Sequence, residues 1–577
     1  MSVNPKWREG LSPELELILC AARKRPDETA AERARALLLR GGLNWSGVVA
    51  AAFQHHVAPF LYENLRLAGE ELVPPVWLES LRERAREASG LALLLLSELL
   101  RIHEIFEREQ CLLIPYKGPV LSWLAYQNLT QRTFIDLDFV LEQGHIPRAT
   151  ALLESAGFRA ECGSQERQAG RSGPAPGQYG FFREATRAQV ELHTERTLRY
   201  FPTPLDLGEI SRRLITVEIA GRKMRTFSIE DTLVMLCVHG TKHFWDRLAW
   251  IADVAELTTA QPVDWALAMQ IAAEMKSTRV LLLGLYLAHD LLGASLPQSV
   301  LEKAQRDSSV RWLANKVREQ FQGNTDASPG VLPRAVFRVR SRDGIGSGMR
   351  HVVRLAMSPT ERDRESVRLP GALAPLYALV RPWRLLREYG WGLRRRLKLD
   401  LAIYVPTLQE VVEHMLQFAG VQPGDVLYDL GCGDGRIVVT AAERYGIHAV
   451  GVDINPVRIA EAQANARRHG VESLVRFLQQ DAKSVDISEA TVVTMYLSAD
   501  ANLKLWERLR SELQPGARIV SLKFRIYGWP PEQFEEHVFP NGIRTSLYLW
   551  RIKERSTNDA TSGCAVRPAG DLQKDGS

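Results

Sequence analysis

The sequence predicts a multidomain chain in which an α+β unit with flanking helices precedes an open, mostly parallel α/β sheet. Three observations predict this. The 577 residues exceed what one hydrophobic core serves. Helical spacing of apolar residues gives way to strand-like alternation near residue 111 and returns at Ser228. Towards the C-terminus an apolar run, Val426-Leu-Tyr-Asp-Leu-Gly-Cys-Gly-Asp-Gly435, breaks into glycines and enters the helix-like RIVVTAAERYG. Strand, glycine turn and helix in that order are the opening unit of a doubly wound sheet.

The elements follow in order. Residues 1–110 read as helices, with helical spacing in PELELILCAARK and in WLESLRERAREASGLALLLLSELLRIHEIFERE. Residues 111–220 read as the α+β core. CLLIPYKG is a short apolar run ending in Lys117-Gly118, and PVLSWLAYQNL after it is a helix. FIDLDFVLE alternates, with Ile135, Leu137 and Phe139 on one face and Asp136 and Asp138 on the other, which makes it a strand. A helix (IPRATALLESAG), a glycine-rich loop around Gly163 to Gly180 and a second strand, QVELHTE, complete this core. Residues 221–321 are helical again, opened by Ser228-Ile-Glu-Asp231 as a capping box and including one helix from Ser228 to Leu257. Residues 322–402 hold a Gly/Pro/Ser-rich linker (322–348) and an arginine-rich connector (334–398). Residues 403–553 form the α/β unit, and 554–577 lack apolar residues and read as a disordered tail.

Composition narrows the classes. A hydrophobic share of 45% and a charged share of 24% are those of ordinary globular protein. A net charge of +5 is too small at this length to argue for nucleic acid. The six cysteines include no CxxC pair, which fits a reducing compartment. The polar N-terminus has no signal-peptide core, and the apolar run at Leu91–Leu100 is too short to span a bilayer. The expectation is a cytoplasmic protein.

In the α/β unit, HAVGVDI ends in Asp453, LVRFLQQ leads to Asp481, and ATVVTMYL and RIVSLKF supply a fourth and a fifth strand. Acids thus stand at the carboxyl ends of successive strands, where open sheets bind ligands. The glycines read GxGxG, without the third spaced glycine of a dinucleotide turn. Asp429, just before them, would repel a pyrophosphate and attract a cation. S-adenosylmethionine (SAM) carries an ammonium and a sulfonium and no phosphate. The stretches YDLGCGDG, GVDINPVRIAEAQANA and QQDA resemble the motifs of class I SAM-dependent methyltransferases. More narrowly, YVPTLQEVVEHMLQFAGVQPGDVLYDLGCGDGRIVVTAAERYG, ATVVTMYL and LQPGARIVSLKF look like bacterial relatives of the FAM173-type lysine methyltransferases. The resemblance implies a Rossmann-like fold and SAM held by Asp429, Gly431, Gly433, Asp453 and Asp481. It places the loop Thr494–Leu497 beside the methyl group, with Tyr404 and Tyr496 shaping the cofactor site. The plainer reading makes both tyrosines core aromatics. The implied acceptor is a protein lysine or a small molecule. Where bacterial relatives carry a histidine near the fifth strand, this chain has Leu522-Lys523, which leaves the acceptor open.

In the α+β core, Asp136 and Asp138 share a strand face and Glu191 sits on a later strand. Same-face carboxylates two residues apart can share Mg²⁺, and a lysine in a strand-to-helix turn can hold a triphosphate. Lys117-Gly118 has that position. IPYKGPVLSWLAY, Arg132-Thr-Phe-Ile-Asp-Leu-Asp138, LLESAGF, VELHTE and LCVHGTKHFWDRLAWIADVAEL resemble the uncharacterised nucleotidyltransferases of the polymerase-β-like superfamily. That resemblance implies a catalytic, metal-binding triad of Asp136, Asp138 and Glu191, and nucleotide phosphate contacts from Lys117, Gly118 and Arg132. His239 and His243, four residues apart, have a chelating spacing, but the better reading is a packed helix face with both rings hydrogen-bonded. His55, His56 and His193 read the same way.

Residues 372–399 mix arginine with Leu, Trp and Tyr. That composition suits peripheral contact with an anionic membrane, a nucleic-acid contact or a packed interdomain helix. The sequence therefore supports a SAM-dependent methyltransferase fused to a nucleotidyltransferase-like domain that binds Mg-NTP. The alternative is a methyltransferase whose nucleotidyltransferase domain is inactive and binds a partner or a nucleotide.

Overall fold

In a computed structural model of the chain, the described residues are 10–160, 177–194, 206–322, 331–344, 346, 348, 349, 380, 407–539 and 544–553. The chain divides into two compact units, 1–397 and 398–577. Tyr404 and nearly all of the 372–399 connector lie outside the described residues.

The first unit opens with five helices, α1 (Pro13–Ala21), α2 (Glu28–Arg40), α3 (Trp45–Gln54), α4 (Ala58–Gly69) and α5 (Pro75–Arg108). The first three start at side-chain caps, where Ser12, Asp27 and Asn44 accept from first-turn amides. A five-stranded sheet follows, in the order β1 (Ile114–Pro115), β2 (Asp136–Val140), β5 (Ala188–His193), β4 (Gln178–Arg183), β3 (Arg159–Ala160). Helices α6 (Gly118–Tyr126) and α7 (Ile146–Ser155) connect its first strands. β2 and β5 run parallel, with Asp138 opposite Glu191. Leu137, Phe139, Val190 and Leu192 turn to the other face and are buried. Ile135 departs from expectation: it precedes the strand and is 56% exposed, so the apolar stripe holds only Leu137 and Phe139. β4 begins within the stretch read as a glycine-rich loop, most of which lies outside the described residues.

After α8 (Leu207–Arg213), a hairpin of β6 (Ile215–Ile219) and β7 (Arg222–Thr226) appears that the sequence reading did not separate out. The single helix expected from Ser228 to Leu257 is two helices, α9 (Ile229–Lys242) and α10 (Leu248–Ala260). Phe244 and Trp245 break it with φ of 59° and 54°. The turn drives the Trp245 ring into the core against Gly240, where a Cβ would lie 2.4 Å from the indole. At the start of α9 Ser228 caps the Asp231 amide, but the Asp231 carboxylate accepts from the Ser228 hydroxyl and pairs with Arg213. The reciprocal half of a capping box is thus replaced by an ion pair. Five helices follow: α11 (Trp265–Glu274), α12 (Thr278–Leu292), α13 (Gln298–Arg306), α14 (Ser308–Gln322) and α15 (Val331–Arg340). α15 falls inside the expected linker, yet its Phe337 is buried, and Asp343 beyond it accepts from the Thr278 and Arg279 amides.

The second unit is a seven-stranded sheet in the order β10 (Val475–Gln479), β9 (His448–Asp453), β8 (Val426–Leu430), β11 (Val492–Met495), β12 (Arg518–Leu522), β14 (Arg544–Arg551), β13 (Gln533–Val538). β10 to β12 are parallel, and the last two strands, which the sequence reading stopped short of, are antiparallel. Helices α16 (Gln409–Phe418), α17 (Arg436–Tyr445), α18 (Pro456–His469) and α19 (Ala499–Glu512) accompany the sheet. Both of its faces are covered by buried apolar clusters, as parallel sheets require. The strand order reverses between β8 and β11, and the crevice at their carboxyl ends is where such a sheet binds ligand.

Candidate functional sites

Asp429 and Thr494 face each other across that reversal point, one register position from the strand ends. The Thr494 hydroxyl donates to Asp429 Oδ1 at 2.9 Å. Burial pushes the Asp429 carboxyl up to about 7; the Thr494 bond works against this, and the Asp453 and Asp434 charges add to it. A buried acid held this way is poised to become an anion when a cationic ligand arrives.

The chain after Asp429 folds back onto β9: the Gly431 and Cys432 amides donate to the Val452 carbonyl at 2.8 and 3.0 Å. Glycine is needed at Gly431 because φ is +91° and a Cβ would lie 2.7 Å from Leu497. Gly435, at φ +76°, starts α17 where a Cβ would meet Ala462 and Phe477. Asp453 braces the turn, accepting from the Gly433 amide at 2.9 Å and from the Asn455 amide at 2.8 Å. Asp481 lies just past β10, and one of its oxygens accepts from the Lys483 amide at 3.0 Å. The half-buried Tyr496 packs on the core and stacks beside Phe524 with ring centroids 6.5 Å apart. Asp429, Gly431, Gly433, Asp453, Asp481 and Tyr496 thus all lie on or just past the carboxyl ends of β8, β9, β10 and β11. Lys523, past β12, holds φ +69°, with its amide donating to Ser546 at 2.7 Å.

In the first unit, Asp138 and Glu191 share a face, and His193 joins them from two residues further along β5. His193 Nε2 lies 2.8 Å from Asp138 Oδ1 and 3.4 Å from Glu191 Oε2. The Lys117 ammonium approaches Asp138 Oδ2 at 3.3 Å, and Gln178 donates to Glu191 at 2.7 Å. Burial opposes the Asp138 anion, but the Lys117 charge and the His193 bond hold it well below the usual carboxylate range. Asp136, on the same face, is pushed up to about 6 by burial and by Asp138. Burial disfavours the His193 imidazolium, but bonds to Asp138 and Glu191 outweigh it and raise its pKa. His193 is the residue that sequence reasoning set aside. Its signal was the spacing from Glu191, which puts the two on one strand face.

Gly118, at φ +54°, lets the chain turn from Lys117 into α6 close to the Asp136 carbonyl. Arg132 is placed differently from the expected phosphate contact. Its Nε and Nη2 donate to the buried Asp253 at 2.8 and 2.9 Å, and Nη1 is buried without a hydrogen-bond partner. His239 and His243 pack on each other and on Trp250, and burial lowers both pKa values. Lys242, lowered by burial and by Lys117, lies close enough to feel Glu191 and Asp138.

Fold and site define a class I SAM-dependent methyltransferase joined to a nucleotidyltransferase-like domain. A family model described as "ANTKMT methyltransferase domain" matches residues 429–533, and one described as "Uncharacterised nucleotidyltransferase" matches residues 41–293. A "Protein-lysine N-methyltransferase" of Saccharolobus islandicus is 46% identical over 152 residues, which is 26% of this chain and 94% of the relative. The "Adenine nucleotide translocase lysine N-methyltransferase" of Mus musculus is 34% identical, covering 32% of this chain and 76% of that protein. A solved structure described as an RNA methyltransferase from Salinibacter ruber in complex with S-adenosyl-L-homocysteine is 44% identical. It covers 27% of this chain and 98% of that one, with a TM-score of 0.25. Through its second unit the chain belongs to the ANTKMT methyltransferase family. Among the described residues, no helix is long and apolar enough to cross a membrane.

Proposed function

We propose that the second unit methylates a lysine side chain of a protein, using SAM held in the crevice at the carboxyl ends of β8 and β11. The observation that carries the acceptor is the 46% identity to a protein-lysine N-methyltransferase over 94% of that protein's length. SAM, when bound, supplies an electrophilic methyl carbon on a sulfonium. Asp429 would meet the cosubstrate's positive charge, Asp453 the ribose hydroxyls and Asp481 the base, while Gly431 and Gly433 let the backbone approach. Tyr496, with Phe524 beside it, would wall the methyl-transfer site. These residues position the reactants and exclude water, which contribute most in a displacement of this kind. The test supplies methyl-labelled SAM and a protein extract, then locates the label by mass spectrometry. Label on lysine ε-nitrogen is expected, and label confined to nucleic acid or small molecules would overturn the acceptor.

For the first unit we infer Mg-NTP binding. The supporting observation is geometric: Asp138 stands opposite Glu191 on neighbouring parallel strands, Asp136 shares its strand face, and the Lys117 ammonium reaches Asp138 at 3.3 Å. Asp136, Asp138 and Glu191 would supply oxygen donors to Mg²⁺, and Lys117, Gly118 and Lys242 would contact phosphates. The placement of Lys117 and His193 on Asp138 favours the second reading, a nucleotide-binding domain without turnover. Incubation with each labelled NTP and Mg²⁺ separates the two. Transfer that Asp138→Asn abolishes supports catalysis, binding without transfer supports the second reading, and transfer that survives the substitution would refute the metal mechanism.

A further inference from the structure

On the edge of the second unit's sheet, His414 of α16 converges with Glu535 and His537 of β13. β13 is the outermost strand, with β12 and β14 between it and β11. Glu535 and His537 are two residues apart, so they share one face of the strand. His414 Nε2 lies 2.8 Å and His537 Nδ1 3.2 Å from the same carboxylate oxygen, Glu535 Oε1. The two imidazoles stand 4.0 Å apart, and Phe539 packs against both. One ligand atom from each of the three residues falls within 4.8 Å of the others.

We propose that these three side chains form a zinc site that fastens the edge hairpin to α16. Zinc bonds imidazole nitrogen and carboxylate oxygen at about 2.0–2.2 Å in a tetrahedron, so its ligand atoms sit roughly 3.3 Å apart. The 2.8 and 3.2 Å separations are close to that edge length, and a small parting of the groups admits the ion. Two imidazoles with one carboxylate favour a divalent transition metal over Mg²⁺ or Ca²⁺, which take oxygen ligands. The side chains are 20%, 37% and 34% exposed in the order His414, Glu535, His537, so the ion can enter from solvent and water can take the fourth position. The ion would join a helix to a strand that, among the described residues, pairs on one side only, and edge strands of that kind need covering.

The test uses the full chain, stripped with a chelator and titrated with Zn²⁺ by calorimetry against a chromophoric competitor. Because Asp138, Glu191 and His193 also lie together, the titration is repeated in Asp138→Asn, so that sites in the two units are counted separately. One equivalent should remain in Asp138→Asn and disappear when His414→Ala and His537→Ala are added. A second readout covers variants that fold poorly. X-ray absorption of the zinc-loaded Asp138→Asn chain should show two imidazoles in the coordination shell, and Glu535→Gln should weaken zinc at least tenfold. Equal stoichiometry with and without the two histidines, or a coordination shell without imidazole, would overturn the proposal.

Discussion

Replacing Asp429 with asparagine should move cofactor affinity and protein stability in opposite directions. The carboxyl is buried and holds its proton up to about 7, against 3.8 in solvent. Ionising it in the empty site therefore costs on the order of 4 kcal/mol relative to an exposed aspartate. For an acid with a raised folded-state pKa, the native protein keeps a proton that the unfolded chain releases. The stability of the empty protein should then fall as pH climbs from about 4 to 7 and stay low above that. A cationic cosubstrate stabilises the anion and reverses the effect for binding. Between pH 8 and pH 6 the protonated fraction of the empty site grows to dominate, and SAM affinity should weaken about tenfold, with about one proton released per cofactor bound at pH 6. Asp429→Asn keeps an oxygen for the Thr494 hydroxyl but cannot ionise. The variant should bind SAM at least tenfold more weakly at pH 8, lose the pH dependence between 6 and 8, and unfold at a higher temperature than the empty wild type at pH 8. Calorimetry in two buffers of different ionisation enthalpy measures the proton release, and thermal denaturation measures the stability. Unchanged pH dependence in Asp429→Asn, or lower stability of that variant at pH 8, would refute the reasoning.

Single contacts elsewhere in the two units carry measurable consequences of their own. Thr494→Val removes the one bond that lowers the Asp429 pKa, so the midpoint of the pH dependence of SAM binding should move upward. Gly435→Ala forces a Cβ to 2.7 Å from Ala462 at positive φ, and should destabilise the second unit by about 2–4 kcal/mol, read by thermal or urea unfolding. Asp253→Ala strands the buried Arg132 and removes the acceptor of the Tyr126 hydroxyl, and should destabilise the first unit by about 3–5 kcal/mol. Asp453→Ala frees the Gly433 and Asn455 amides and should weaken SAM binding more than tenfold while lowering the stability of the second unit by about 1–3 kcal/mol, read by calorimetry and thermal unfolding.

Much of the second unit was legible because its chemistry is local. The succession Asp429, Gly431, Gly433 and Asp453 is written along one strand–turn–helix–strand segment, and backbone geometry there leaves few residue choices. The hairpin of β13 and β14 was not legible. Its strands pair across Phe534–Tyr548 and Glu536–Ser546, contacts set by tertiary packing and not by a clean alternation within either strand. In the first unit the acids were readable from period two, but their partners were not. Arg132 reaches Asp253 and Lys117 reaches Asp138 across long sequence separations, and no local spacing announces such pairs. The break between α9 and α10 was missed for a similar reason. His239 to Trp250 keeps helical hydrophobic spacing, while the packing of Trp245 against Gly240 and Gly284 sets the turn. Ile135 shows the converse: an apolar residue in perfect alternation can still lie one position outside the strand and face solvent.

The most direct test of the cofactor assignment is a crystal structure of the second unit's site, in the full chain, with S-adenosylhomocysteine bound. The ribose should lie on Asp453, the amino-acid moiety over Gly431 and Gly433 beside Asp429, and the sulfur should face Tyr496. Ligand density anywhere other than the crevice between β8 and β11, or ribose hydroxyls without contact to Asp453, would contradict it.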